Sequence, residues 1–294
     1  MKARAFRYVR AASLDDALSA YAGADGECSY IAGGQSLVPA LALRLQAPDL
    51  LIDISRLPEM TGISLEGDTL RVGALTRHSE MLSSPEIARH APLLKAAAPF
   101  VAHPAIRNKG TFGGTIALAD PAAEFPAMCL ALDAEFEIAG VEGRRTSPAN
   151  GFFHGLFDTD LQPGEIITAI RVPVFGPNDR CVFHEFARRR GDYAMAGAGI
   201  QATLVDEQVE SIRIAFLSAG PTPMRAPHAE AQLTGGPLSG ERIEAAQHAL
   251  AEDLEPEDND DTSAAMRMHL ARVLLGRLLT RLAHTEHGQE QRQQ

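Results

Sequence analysis

Cysteine is scarce in this sequence, and basic residues are outnumbered by acidic ones. The 294 residues contain three cysteines, Cys28, Cys129 and Cys181, which stand far apart without a CxxC pair. This spacing argues against a metal cluster or a disulfide framework within the chain, and it predicts a cytoplasmic location. The 27 Lys and Arg against 38 Asp and Glu give a net charge of -11. That sign argues against nucleic acid and anionic membranes as partners.

Long apolar runs and familiar catalytic motifs are also missing. No segment approaches the roughly 20 apolar residues of a membrane span, and the first residues, through Tyr8, lack the apolar core of a signal peptide. The ten histidines show no HExxH spacing, and the sequence has neither a GxSxG elbow nor a GxxxxGK[ST] nucleotide loop. We therefore expect no catalytic residue and no metal ligand in this chain.

Two glycine-rich segments are the most informative features that are present. The first is Ala32 to Ser36, and the second is Thr111 to Thr115 within the stretch His103 to Glu124. Closely spaced backbone N–H groups without a Cβ atom nearby can hold phosphate. One such turn is as readily a tight connection, and Ser36 is as readily a helix N-cap, but two segments fit a ligand with a diphosphate. The first segment lacks the GxGxxG of a Rossmann site.

The periodicity of apolar residues predicts alternating strands and helices before residue 175 and an antiparallel meander after a turn-rich joint at 175–179. The predicted helices are 13–23, 37–45, several short ones over 76–101, one that starts at Asp120, and two at 241–250 and 263–282. The predicted strands are 29–32, 50–54, 69–73, 134–138, 166–173, 182–186, 194–204 and 212–216. The second glycine segment is predicted to be a loop, and the acidic link 252–261 a solvated one.

Some polar residues allow two interpretations. His103 is a candidate acid or base, although a single histidine in a helical connection is more often structural. The three successive arginines from Arg188 to Arg190 are candidates for binding an anion or for a solvated docking surface. Tyr193 could pack on an aromatic ligand or belong to an ordinary core. Cys129 lies on the apolar face of its predicted helix and is expected in the core.

Several motifs taken together resemble the FAD-binding medium subunit of the molybdenum hydroxylases, the group of xanthine dehydrogenase and the carbon monoxide dehydrogenase flavoprotein. The motifs are AGGQSLVP at 32–39, LIDI at 51–54, IRNKGTFGGT at 106–115, ADPAAE at 119–124, RRGDYA at 189–194 and AGPTPMRA at 219–226. The resemblance runs from about Phe6 to about Leu282.

This resemblance implies an α+β fold. A two-subdomain FAD-binding fold of the vanillyl-alcohol-oxidase (PCMH) type is expected over residues 1–176, with subdomains of about 1–56 and about 57–176. A C-terminal antiparallel-sheet-plus-helices domain of the carbon monoxide dehydrogenase flavoprotein type is expected over 177–284, followed by a disordered tail, 285–294.

The resemblance also implies which residues hold FAD. Ala32 to Ser36 and Thr111 to Gly114 would hold the pyrophosphate, Thr115 and Glu124 would lie toward the ribityl and adenosine side, and Leu161 and Tyr193 would lie at the isoalloxazine ring. The full expected set is Ala32, Gly33, Gly34, Gln35, Ser36, Leu37, Ala102, Ile106, Thr111, Phe112, Gly113, Gly114, Thr115, Glu124, Leu161 and Tyr193. Three positions depart from the family pattern: Thr115 replaces a common Asn, Phe112 a small aliphatic residue, and His184 a lysine of some relatives.

The function that the resemblance implies is electron transfer within a heterotrimer. A large partner subunit would hold the molybdenum cofactor, a small partner would hold [2Fe-2S] clusters, and FAD in this chain would pass electrons to an external acceptor. A dimer of heterotrimers is expected. Two alternatives stay open. One is a self-sufficient FAD oxidoreductase similar to the enolpyruvyl reductases, which would need its own proton donor. The other is a nucleotide-binding assembly subunit without redox chemistry.

Overall fold

A small parallel sheet occupies the N-terminal part of the computed structural model, which describes residues 2–260 and 262–284. Its strands follow the order β1-β3-β2 and all run parallel, with a helix in each connection. The elements are β1 (Arg7–Arg10), α1 (Leu14–Ala22), β2 (Cys28–Ile31), α2 (Leu37–Leu43) and β3 (Leu50–Asp53). The side chain of Ser13 caps α1 by accepting from the Asp16 N–H, as the sequence predicts.

A five-stranded antiparallel sheet follows, in the order β4-β5-β10-β6-β7. Its strands are β4 (Ile63–Glu66), β5 (Thr69–Gly73), β6 (Glu135–Gly140), β7 (Gly143–Pro148) and β10 (Ile166–Pro173), and a ribbon is formed by β8 (Phe153–Gly155) and β9 (Asp158–Thr159). Short helices lie between β5 and β6: α3 (His78–Ser83), α4 (Pro85–His90), α5 (Pro92–Ala97), α6 (Pro104–Arg107), α7 (Phe112–Leu118) and α8 (Glu124–Ala131). A single 3-10 turn, Pro58–Met60, precedes β4. Prolines begin α4, α5 and α6 and keep these helices separate, and the short helices predicted over 76–101 are confirmed by α3, α4 and α5.

The C-terminal part is an antiparallel meander covered by helices, as the sequence predicts. Its strands follow the order β11-β12-β13-β14, and helices pack on one face. The elements are β11 (Asp179–Ala187), β12 (Ala194–Val205), β13 (Gln208–Leu217), β14 (Met224–Arg225), α9 (Pro227–Leu233), α10 (Gly240–Asp253) and α11 (Ala264–His284). Leu274, Leu278 and Leu282 are buried along α11, which agrees with their four-residue spacing.

Two hydrophobic cores meet along β11, β12 and β13. One core fills the space among the first two sheets and helices α1 to α8, and it also takes in Phe183 and Leu217 from the meander. The other lies between the meander and helices α9 to α11. Successive side chains of a strand point to opposite faces, so β11 sends Phe183 to the first core and Val182 to the second. Within residues 2–260 and 262–284, no helix is long and apolar enough to span a membrane.

Three predictions about elements are corrected by the structure. The second glycine segment is the start of helix α7, where the Thr111 side chain is the N-cap, and not a loop. The following helix begins at Glu124 rather than Asp120. The acidic link is not fully solvated, because α10 continues to Asp253 and this carboxylate is buried as an acceptor for the N–H groups of His228 and Ala229. Asp261 and the predicted tail 285–294 lie outside the described residues.

Candidate functional site

The first glycine segment joins β2 to α2 and lies against the start of the second segment. A Cβ atom at Gly33 would overlap the carbonyl oxygen of Lys109 and would lie 2.9 Å from the Cα of Gly110. Gly34 takes a φ of +71°, which glycine adopts without steric cost. The two segments, some eighty residues apart in the sequence, therefore touch backbone to backbone, and only glycine at position 33 permits this contact.

The first segment directs a set of backbone donors away from the protein. In the part of the chain that the structure describes, the N–H groups of Gly33, Gly34, Gln35 and Ser36 have no backbone or side-chain acceptor. The Gln35 side chain is turned inward, because its Nε2 donates to the Gly33 carbonyl at 3.0 Å. Ser36 makes no side-chain cap to α2, so its hydroxyl is not the N-cap that the alternative interpretation assumed. Several unused donors within one turn form a suitable cradle for an anion.

The second glycine segment uses its amides within the protein. The N–H of Phe112 donates to the Thr76 carbonyl at 2.9 Å, and that of Gly113 to the Ala74 carbonyl at 2.7 Å. The N–H of Gly114 donates to the Thr111 side-chain oxygen, and that of Thr115 to the Thr111 carbonyl. The backbone donors of Phe112, Gly113, Gly114 and Thr115 are thus occupied within the protein, and the assignment of Thr111 to Gly114 to the pyrophosphate stays a prediction.

Close packing explains the glycine and the phenylalanine of this segment. A Cβ at Gly113 would overlap the Cβ of Ala74, so glycine lets α7 approach the end of β5. The ring of Phe112 is fully buried and makes an edge contact with Phe125, with ring centroids 5.2 Å apart. Phe112 thus extends the core under the site and does not reach into it. Half-buried Thr115 and Gly114 form the accessible side of the segment.

A buried histidine that the sequence analysis missed supports the second segment. His78 on α3 lies with its Nε2 3.0 Å from the Thr111 carbonyl oxygen, and its ring meets Phe125 edge-on. Since a carbonyl only accepts, Nε2 carries the proton. Burial lowers the pKa of His78 to about 4, so the imidazole is neutral. No local pattern marks this role, because the partner lies 33 residues away.

Ala102 and Ile106 lie beside the junction of the two segments. Ala102 has a φ of +42°, an uncommon conformation for a residue with a Cβ. Arg107, a second residue that the sequence analysis missed, stabilises it: the guanidinium Nη1 donates to the carbonyls of Val101 and Ala102 at 2.9 and 2.8 Å. Half-buried Ile106 accepts from the Gly110 N–H through its carbonyl and so helps to shape the turn before Thr111.

The C-terminal domain reaches the same region through the turn that carries Tyr193. A Cβ at Gly191 would lie 2.6 Å from the His103 ring and 3.2 Å from the Ala102 carbonyl oxygen, so this turn packs directly on the Ala102–His103 connection. Tyr193 is 74% exposed, yet desolvation among its surroundings, together with the Asp120 carboxylate, raises its pKa to about 12. A ring that is accessible to solvent and still has many protein atoms around it is typical of the wall of a cleft. Tyr193 is therefore not a core tyrosine.

Leu161 lies on a loop that is tied to the strand before the first glycine segment. Tyr30, on β2, donates its hydroxyl to the Gly164 carbonyl at 3.0 Å, and the Tyr21 ring packs under Gly164. Leu161 is half-buried against the first core.

Glu124 begins α8 next to Phe125, and burial raises the pKa of Glu124 to about 7. The assignment of these residues to one FAD site stays a prediction, and Arg188 to Arg190 are exposed on the turn before Gly191.

Two family models together match nearly all of the chain. Residues 4–175 match a family described as the FAD binding domain in molybdopterin dehydrogenase, and residues 181–282 match the CO dehydrogenase flavoprotein C-terminal domain. This chain belongs to the FAD-binding medium subunits of the molybdenum hydroxylases. It is a subunit of an oxidoreductase, and the resemblance drawn from the motifs is confirmed.

Relatives of this family are similar over almost their whole length. The chain is 40% identical to the 6-hydroxypseudooxynicotine dehydrogenase complex subunit alpha of Paenarthrobacter nicotinovorans, over 97% of this chain and 96% of that protein. It is 35% identical to the carbon monoxide dehydrogenase medium chain of Hydrogenophaga pseudoflava, over 93% and 96%. A solved structure of carbon monoxide dehydrogenase from Hydrogenophaga pseudoflava, lacking the Mo-pyranopterin moiety of the molybdenum cofactor, superposes with a TM-score of 0.93 at 36% identity and covers 96% of this chain and 98% of that one.

The geometry of the cleft fits the FAD that this family binds. The amide donors of residues 33–36 suit a diphosphate. A Cβ atom at Gly33 has no room, because the Lys109 carbonyl oxygen lies too close to it. An exposed cation, Lys109, follows at the junction of the two segments. The expected fold, an FAD-binding domain followed by an antiparallel C-terminal domain, is confirmed by both family models and by the superposition.

Proposed function

We propose that this chain receives electrons from [2Fe-2S] clusters of a small partner subunit and passes them to an external acceptor, while a large partner subunit with the molybdenum cofactor oxidises the substrate. The observation that carries the proposal is the cradle of unused amides at residues 33–36, joined backbone to backbone to the second glycine segment. When bound, FAD supplies the exchange of one or two electrons that links such partners.

The residues of the chain would then bind and orient the cofactor. The N–H groups of Gly33 to Ser36 donate to the diphosphate, and Leu37 and Ala32 border them. Gly114 and Thr115 contribute the accessible side of the second segment, with Thr111, Phe112 and Gly113 buried beneath it. Ala102, Ile106, Glu124, Leu161 and Tyr193 complete the predicted set as the walls of the cleft.

Assembly with two partners is part of the proposal. We infer a dimer of heterotrimers, in which the exposed turn Arg188 to Arg190 and helix α11 belong to docking surfaces.

The domain boundary is proposed near 176–177, with a division of the first domain at about 56. A cytoplasmic location is proposed because Cys28 and Cys129 are thiols, which fits a reducing compartment.

The proposal is tested by coexpressing the chain with its two partners and measuring flavin, iron and molybdenum in the purified complex. We expect flavin in a fixed ratio to iron and molybdenum, and bleaching of the flavin bands when substrate is added anaerobically. A complex with full iron and molybdenum but no flavin would refute the proposal. Turnover by the isolated FAD-loaded chain would favour a self-sufficient enzyme instead, and a colourless chain that binds ADP would favour an assembly subunit.

Reversal of charge tests the docking surface separately. Arg189→Glu with Arg190→Glu is expected to weaken assembly, because it inverts the charge of an exposed turn, while flavin content of the isolated chain stays unchanged. Size-exclusion chromatography of the mixed subunits measures assembly. A double variant that assembles like the wild type would exclude this turn from the interface.

A further inference from the structure

Two buried carboxyl groups, one from each domain, belong to elements that meet where helix α8 packs on the meander. Glu185 lies on β11 and Glu124 begins α8. Glu185 is only 6% exposed, and its Oε2 is buried without a hydrogen-bond partner among the described residues. A buried carboxylate oxygen that nothing satisfies is strongly unfavourable, so this group needs a proton or a ligand.

The strand register shows that the two groups share one face of the seam between the domains. Across β11 and β12, Phe183 pairs with Gly199 and Glu185 pairs with Gly197, and paired residues point to the same side. Met128 of α8 packs directly over Gly199.

Glu124 precedes Met128 by four residues, about one helical turn. It therefore lies on the same face of α8 as Met128, over the neighbouring pair Gly197 and Glu185. A Cβ at Gly197 would lie 3.0 Å from the Glu185 Cβ and 2.7 Å from a Leu217 methyl. The side chains of Glu185 and Leu217 therefore pack tightly against Gly197.

The surrounding charges favour a shared proton. Burial raises the pKa of Glu124 to about 7, with Asp120 adding to the rise and Arg107 opposing it. Burial also raises the pKa of Glu185 to about 8, and repulsion from Glu124 contributes. Arg107 opposes this rise only from a distance, because its Nη1 donates to backbone carbonyls and it forms no ion pair with either carboxyl group among the described residues. Near neutral pH the two carboxyl groups thus retain at least one proton between them.

The position of Glu124 connects this pair to the ligand. Its neighbour Phe125 packs on both Phe112 and His78, and His78 contacts the Thr111 carbonyl. An ionised carboxylate at this place would repel the diphosphate of FAD, whereas a neutral carboxyl would not and could donate a hydrogen bond.

We propose that Glu185 is a positioning residue that keeps a shared proton on the Glu124–Glu185 pair, and that the cleft binds its anionic dinucleotide in this protonated state. The inference rests on the proposed function, in which the dinucleotide is FAD. A pair that shares one proton carries one negative charge, and loss of that proton raises it to two negative charges beside the ligand. Binding of FAD and protonation of the pair therefore support each other.

The test measures FAD affinity of the full chain by fluorescence quenching from about pH 6 to about pH 9, with each variant first checked for native circular dichroism. In the wild type, affinity falls as the pH rises through the range in which the pair ionises, by up to about tenfold per pH unit. The Glu124→Gln variant loses this pH dependence, whatever its absolute affinity, because an amide cannot ionise. The Glu210→Gln variant, which changes an exposed carboxylate on β13, behaves like the wild type.

The Glu185→Gln variant gives the sharpest result. The substituted amide removes the neighbouring charge and can donate to Glu124, so the pKa of Glu124 falls and FAD affinity at neutral pH decreases several-fold, with the midpoint of the pH profile moved downward. A merely structural role of Glu185 would not move the midpoint. A pH-independent affinity in the wild type, or a Glu185→Gln profile like that of Glu210→Gln, would overturn the inference.

Unfolding of the FAD-free chain gives a readout that does not depend on the ligand. Because the folded pair has raised pKa values, the folded state binds more protons than the unfolded state, and stability falls as the pH rises toward about 8. Urea titrations are expected to show this slope in the wild type and a smaller one in Glu185→Gln. Equal slopes would contradict proton sharing. If no variant binds FAD at any pH, the proposed function fails, while these slopes still decide whether the pair shares a proton.

Discussion

His78 shows how a single buried side chain can couple the site to pH. Its imidazole is neutral in the folded protein and donates from Nε2 to the Thr111 carbonyl, while Nδ1 is buried without a partner in the described part of the chain. Protonation would place a charge in the core between Phe125 and the second glycine segment. The folded state therefore resists a proton that the unfolded chain accepts.

We predict that the free energy of unfolding decreases as the pH falls from about 6.5 toward about 4, in part because of His78. The folded pKa is depressed, so the unfolded state binds more protons in this window and stability rises with pH across it. The His78→Leu variant should lose this part of the slope and about 1 kcal/mol at neutral pH, since the Thr111 carbonyl keeps the Thr115 N–H but loses the His78 donor. Urea titrations at several pH values measure both effects. The control is His248→Leu on the exposed side of α10, which should keep the slope; a His78→Leu slope equal to that of the wild type would contradict the prediction.

Gly33 carries the contact between the two glycine segments. In the Gly33→Ala variant, the new methyl group would overlap the Lys109 carbonyl and push the segments apart. We expect a loss of about 2 kcal/mol in stability and a clear loss of bound flavin. The matched control is Gly240→Ala, where a Cβ meets nothing within 4 Å at the start of α10. Chemical denaturation and flavin content after gel filtration provide the measurements, and a Gly33→Ala protein with full flavin would show that the contact is dispensable.

At the scale of elements, strand β7 holds the loop that carries Leu161. Arg145 donates to both Glu165 carboxylate oxygens, at 2.8 and 2.7 Å. It also donates to the side chain and the carbonyl of Asp160, each at 2.7 Å. These hydrogen bonds lower the pKa of Asp160 and of Glu165. A guanidinium that spans both ends of a loop restricts its conformations more than an isolated surface ion pair does.

Removal of this clamp should loosen the Leu161 loop. We predict that Arg145→Ala lowers stability by about 1 kcal/mol, a modest value because the Arg145 and Asp160 side chains are each 34% exposed. Flavin retention should decrease as well, since Leu161 is predicted to lie against the ring. The neighbouring Arg144→Ala changes an exposed arginine on the same strand and should have neither effect. Equal thermal midpoints and equal flavin content for the two variants would contradict the assigned role.

Helix α7 illustrates why an element can differ from its sequence pattern. Two consecutive glycines favour a loop by propensity, because glycine loses much conformational entropy in a helix. Here the Thr111 cap, the burial of Phe112 and the close approach of Gly113 to Ala74 together outweigh that cost. The Thr111 cap acts within the segment, whereas the burial of Phe112 and the approach of Gly113 to Ala74 depend on residues distant in sequence and are not visible in the segment itself.

On the scale of the whole molecule, the two domains are joined by a complementary contact between a large and a small residue. Met128 of α8 packs into the space left by Gly199 of β12, close to Leu93 of α5. Phe183 and Leu217 extend the first core across the same seam. The cleft is built from both domains, so this packing also determines the position of Tyr193 relative to the glycine segments.

A double-mutant cycle tests the complementarity of this contact. The Gly199→Val variant should lose about 1–3 kcal/mol, because the added side chain overlaps the Met128 sulfur. Met128→Ala alone should lose about 2–5 kcal/mol through the cavity it leaves. In the double variant, valine fills part of the cavity, so the combined loss should be smaller than the sum of the single losses. Additive losses in urea titrations would show that the two residues do not share the seam.

By itself, the sequence determined the kind of fold, the family and the regular elements with strong local signals. The helix predicted at 13–23, the short helices over 76–101 and the last helix depend on a cap, on prolines and on leucine spacing within a few residues, and these elements are confirmed. The tertiary structure decided how the site is built, because its contacts join residues far apart in the chain. It placed Gly33 against Lys109, directed the amides of Phe112 and Gly113 to the carbonyls of Thr76 and Ala74, and buried Glu185 at the domain seam. Backbone approach, donor occupancy and desolvation depend on three-dimensional neighbours, and a linear pattern does not specify them.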